Sequence, residues 1–109
     1  MNAALLAASR ISALVLAVAV AVHLVVIIYA VQEGLTAASL LSRTRGNWAF
    51  LALYASFVLA AAVHAPIGLR AVLAEWLGWS GRLADRLLIG FGLLLVLLGL
   101  RAAFAVFLA

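Results

Sequence analysis

Cysteine is absent from the chain. Its absence excludes disulfides, thiolate metal ligands and cysteine-held iron–sulfur clusters, so any redox centre here is held by other side chains. Lysine is absent as well: all seven cations are arginines, against three acids, Glu33, Glu75 and Asp85. The pI of about 11.3 therefore reflects a few arginines rather than a basic patch. No aromatic–basic cluster accompanies them, which speaks against a nucleic-acid partner. Charge makes up 9% of the residues and apolar side chains 71%, with a mean hydropathy of +1.37. A chain of 109 residues cannot hide that much apolar surface from water, so its solvent is a lipid bilayer.

Three apolar runs stand out: Ile11 to Val31, Trp48 to Leu69 and Leu87 to Ala109. Each is about 20 residues, the length a helix needs to cross ~30 Å of hydrocarbon. The expectation is an all-α integral membrane protein with one anchor domain, 1–109, and three transmembrane helices at roughly 8–32, 48–76 and 84–109. A cleaved signal peptide is the competing account of the first run. That run exceeds the usual ~7–15-residue apolar core, and two further spans follow it. No Arg- and Ser-rich leader precedes it, which argues mildly against an organellar precursor. Glu33-Gly34 breaks the first span, Asn47 is placed to cap the second, and Gly78 and Gly81 supply the second turn. Tyr29 and Trp48 fall near one interface, and Trp76 and Trp79 near the other. Arg10, Arg70, Arg82 and Arg86 share one side, while Arg43 and Arg45 lie on the other. The arginine bias predicts a cytoplasmic N-terminus and second loop, in a bacterial inner membrane.

An ionisable side chain at membrane depth costs a few kcal/mol (~3 on insertion scales), so each one needs a reason. His23, His64 and Arg101 fall inside spans, with Arg10 and Arg70 at or near the inner boundary. The plain readings are an imidazole bonded to a neighbouring helix and arginines that snorkel to phosphates. His64 has more context, in His64-Ala65-Pro66-Ile67-Gly68-Leu69-Arg70, followed by Glu75. Gly68 lies one turn below it and ~40° away, which clears space beside the imidazole for a flat macrocycle. Arg70 lies ~9 Å nearer the cytoplasm, within reach of haem propionates. Pro66 is expected to bend the helix locally.

This pattern, His-x3-Gly-x-Arg-x4-acid late in a second span, resembles the cytochrome b anchor subunit of succinate dehydrogenases and fumarate reductases. Ser9-Arg10-Ile11-Ser12 resembles the family's Arg-x-Ser-Gly element, with Ala13 in place of the glycine. Glu75 stands where the family usually has Asp, and Ala71 replaces a second histidine that often follows the arginine. The resemblance implies His64 as an axial ligand of haem b and Arg70 facing the propionates. It implies Ser9, Arg10 and Ser12 at a site for ubiquinone or menaquinone. It also implies a flavoprotein subunit and an iron–sulfur subunit as partners, with no complete reaction performed by this chain alone.

Two imidazoles are needed for a bis-histidine haem. Counted from Arg10 and Arg70, His23 lies ~20 Å deep and His64 ~9 Å deep, too far apart for one iron. A second small hydrophobic anchor subunit is therefore expected to supply the other ligand. A second haem in the outer half of the membrane, using His23 with Arg101 near its propionates, is a further expectation. The alternatives are a haem-free anchor of the same complexes, a structural subunit of another respiratory complex, and a small proton-coupled transporter. The last needs a carboxylate inside a span, whereas Glu33 and Asp85 fall in loops and Glu75 at a boundary.

Overall fold

The computed structural model describes residues 2–109. Four helices follow in order: α1 (Ala3–Glu33), α2 (Ala37–Thr44), α3 (Trp48–Leu77) and α4 (Arg82–Leu108). No strand occurs among the described residues. Helices α1, α3 and α4 are each long and apolar enough to cross a membrane. A helix of ~30 residues spans ~45 Å, and the long axis of the molecule measures 47 Å. That length matches a bilayer with its headgroup regions, ~40–45 Å.

The three expected spans are present, with two differences at their edges. Helix α1 begins earlier than expected, at Ala3, because the Asn2 side chain accepts the Leu5 N–H at 2.8 Å and caps it. The first connection also contains α2, capped by Thr36, whose hydroxyl accepts the Ser39 N–H at 3.1 Å. Such a short amphipathic turn leaves no long apolar run to be read from sequence. Asn47 caps α3 as expected, its side-chain oxygen accepting from Ala49 and Phe50. Gly78 ends α3 in the left-handed region at φ 63°, and the Trp79 N–H closes back on the Leu73 carbonyl at 3.0 Å.

Helix α3 lies between α1 and α4, which make no helix–helix contact with each other among the described residues. The seam of α1 against α3 is narrow, with Ser12, Ala19 and Ala30 buried along it and His23 on the same stripe. Small residues let two backbones approach where lipid offers no hydrophobic incentive to associate. On α4 the corresponding stripe is Ala84, Leu88, Gly92 and Ala103, with Gly99 in register. Pro66 has no N–H, so the Ala62 carbonyl one turn earlier is left without its helical donor. The helix runs through Pro66 unbroken. Gly92 packs there: a Cβ on it would stand 3.0 Å from that carbonyl and 3.2 Å from the proline ring.

Both ends of the bundle are tied. At the α2 end, the Thr44 hydroxyl donates to the Val106 carbonyl at 3.1 Å and the Gly46 N–H to the Phe107 carbonyl at 2.9 Å. These donors satisfy carbonyls that a helix C-terminus leaves open. At the other end, Arg70 Nε donates to the Asp85 carboxylate at 2.9 Å, joining α3 to α4. Both side chains are nearly half exposed, so the pair contributes at most ~1 kcal/mol.

Candidate functional site at the crossing of the first two spans

Ser12 is the only buried polar or charged residue among those described. Its hydroxyl donates to the Ala8 carbonyl at 2.6 Å, a helix-internal bond that leaves the oxygen free to accept. His64 meets it there. Nδ1 of His64 lies 3.2 Å from Ser12 Oγ and 3.2 Å from the Ser9 carbonyl oxygen. A carbonyl can only accept, so its proximity assigns the ring hydrogen to Nδ1, shared between the two oxygens. Nε2 then carries the lone pair. It has no hydrogen-bond partner among the described residues, yet it is not sealed in the interior.

A ring held in this way has one nitrogen fixed on a backbone carbonyl and the other free, a condition that a metal-ligating histidine must meet. Gly68, one turn further along α3, has nothing within 4 Å of where a Cβ would stand. Packing within this chain therefore does not require glycine at that position, and the space beside it is open. The residues present fit an axial ligand to haem. No three His, Asp or Glu side chains gather among the described residues, so a multi-ligand metal centre has no donor set here.

Beside Ser12, between α1 and α3, lies a cavity of about 340 Å³. Its walls are apolar except for the hydroxyls of Ser12 and Ser56. Ser12 thus stands between the imidazole and an apolar slot. Ser9 joins the group through its carbonyl. Arg10 does not: it is exposed, and two residues before Ser12 it falls ~160° around α1, away from α3. Arg70 also points elsewhere, its guanidinium bonded to Asp85 on the α4 side.

His23 occupies a separate level of the bundle. Its ring meets the Tyr54 ring edge-on at 6.0 Å between centroids and Phe57 at 6.5 Å. Its Nδ1 is buried with no hydrogen-bond partner, beside a cavity of about 120 Å³. Tyr54 and Phe57 precede His64 on α3 by ~10–15 Å of rise, so the axial offset between the two histidines is retained. Arg101 is exposed on α4, ~160° around that helix from the stripe that meets α3. His23 and Arg101 are therefore on opposite sides of α3 and are not brought together within this chain.

The contact between Ser12 and His64 was not foreseen from sequence, although both residues were singled out. Residues 52 apart meet only if the rotation of each helix is known. Tyr54 was passed over, although a hydroxyl inside an apolar run marks it. Comparison with family models, with curated proteins and with solved structures finds no match for this chain.

Proposed function

We propose that this chain is the haem b-binding membrane anchor of a succinate:quinone oxidoreductase, in the succinate dehydrogenase and fumarate reductase class. The observation that carries the reading is the contact of His64 with Ser9 and Ser12. It joins two segments, His64-x3-Gly68 and Ser9-Arg10-Ile11-Ser12, whose separate likeness to that family had no necessary spatial relation.

His64 would hold haem iron through Nε2, while the Ser9 carbonyl and Ser12 oxygen fix its tautomer and ring plane. Haem, when bound, supplies a one-electron relay. Ser12 and Ser56 line the apolar cavity. Because the Ser12 hydrogen is held by Ala8, a quinone oxygen there would take its donor from Ser56, or from Ser12 after that bond is released. Arg10, on the outward face of α1, is placed to meet headgroups or a docked iron–sulfur subunit rather than the cavity. A second histidine for that haem would have to come from another chain, a second small hydrophobic subunit, since His23 sits at another depth. One haem b per chain is the composition this reading gives.

Purification through a tag on this chain tests the assignment. A flavoprotein, an iron–sulfur protein and one further hydrophobic subunit should co-purify; isolation with components of a different respiratory complex, and no flavin, would refute it. Orientation in a bacterial inner membrane has its own test, helped by the lack of cysteine. Ser80→Cys, between α3 and α4, should resist a membrane-impermeant maleimide in intact spheroplasts. Ser42→Cys, on α2, should be labelled. The opposite pattern would invert the topology.

A further inference from the structure

Because α1 and α4 do not touch, the face of α3 between them is open as a groove. Its main cleft, about 550 Å³, lies along Leu59, Val63, Pro66 and Ile67 of α3 and Ile89 and Leu93 of α4, is bordered by Leu5 of α1, and reaches Arg70 and Asp85 at one end. From Leu59 to Arg70 on α3, and from Asp85 to Val96 on α4, the cleft is twelve residues long, a rise of ~16 Å along the helix. The hydrocarbon core is ~30 Å thick, so the cleft has the depth of one leaflet and not of two. A transmembrane helix of another subunit would need the full thickness. An acyl chain needs half.

The polar end of the cleft is cationic. Arg82 and Arg86 precede Ile89 and Leu93 by seven residues each, two turns along the same stripe of α4. Both are exposed. Arg70 uses only Nε on Asp85 among the described residues, which leaves its terminal N–H groups for a second acceptor. Arg70, Arg82 and Arg86 outnumber the carboxylates of Asp85 and Glu75 at these helix ends, which leaves a net positive charge at headgroup level.

We infer that this groove is a binding site for an anionic phospholipid, one acyl chain lying in the cleft and the phosphate held by Arg70, Arg82 and Arg86. Basic groups beside a gap between transmembrane helices are the usual recognition chemistry for such headgroups. The cleft shares the walls Leu59 and Val63 with the cavity beside Ser12, but neither Ser12 nor His64 lines it, and its cationic end is formed by α3 and α4.

The test is native mass spectrometry of the detergent-purified assembly containing the full chain, after incubation with dioleoyl-phosphatidylglycerol or dioleoyl-phosphatidylcholine. Retention of the glycerol lipid should exceed that of the choline lipid by about tenfold. Arg82→Gln/Arg86→Gln, which alters only exposed side chains, should abolish that preference without changing the helical circular dichroism. Leu93→Trp, which fills the cleft, should reduce retention of both lipids. Inorganic phosphate should not displace the bound lipid, because the chain as well as the headgroup is held. Equal retention of the two lipids by the wild type would overturn the inference. So would a cross-link from Ile89→Cys to another subunit in an assembly that retains no phosphatidylglycerol, since a protein would then occupy the groove.

Discussion

Replacing His64 with alanine should leave an assembled complex that has lost its b-type absorption. Among the described residues, Nε2 of His64 is the only ring nitrogen that combines a free lone pair with a ring fixed through Nδ1 on a backbone carbonyl. Alanine leaves a void on the α1–α3 seam but strands no buried donor, because the Ser12 hydroxyl keeps its bond to Ala8 and the Ser9 carbonyl remains within the helix. The structural cost is therefore modest and the ligand loss complete. Ser12→Ala separates the two roles. It removes one of two acceptors from Nδ1–H, so haem should still bind, with affinity reduced by ~10–100-fold, the usual effect of losing a partner of a metal-bound imidazole. Haem titration of the apo complexes, followed in the reduced Soret band, distinguishes the three proteins. Unchanged loading in His64→Ala would remove His64 from the site.

A second large effect is expected at Gly99. A Cβ there would stand 2.5 and 2.7 Å from the two methyl carbons of Val58 and 3.1 Å from its Cβ. Valine is branched at Cβ and cannot swing aside, so helix α4 must retreat from α3. Overpacking of this kind costs ~1–3 kcal/mol for a small addition. Gly99→Leu should cost more, because contact across the seam is what holds helices together in lipid. The accumulated level of the chain in membranes should fall and its thermal midpoint drop. Gly90→Ala is the control: nothing lies within 4 Å of its added methyl, so stability should hold or rise slightly. Val58→Ala should rescue Gly99→Ala, and a double-mutant cycle would measure the coupling. Equal behaviour of Gly99→Ala and Gly90→Ala would mean the α3–α4 seam is not as described.

The spans could be read from sequence because length and hydropathy alone determine what crosses a bilayer. Asn47, Gly34 and Gly78 marked their ends for local reasons that any helix terminus imposes. Helix α2 escaped notice because eight mixed residues carry no period long enough to register. Pairings across helices were hidden for a different reason. Which face of α3 meets α1 depends on side-chain volumes along both seams, so sequence could nominate Ser9, Ser12 and His64 but not join them. For the same reason sequence did not show that Arg70 is bonded to Asp85 on the α4 side. That pair was open to inference: Arg70 lies two turns before Gly78 and Asp85 one turn after Gly81, near the connection that joins two antiparallel helices, and the arginine side chain is long enough to cover the difference. Gly92 and Gly99, seven residues apart on one face of α4, were also visible as a seam.

The most direct measurement is the haem-to-flavin ratio of the intact wild-type complex, from pyridine haemochrome and extracted flavin on the same sample. One haem b per flavin is the predicted result, with His64 as this chain's only ligand. A complex containing flavin but no haem would contradict the role given to His64. Two haems per flavin would mean that His23 also holds one.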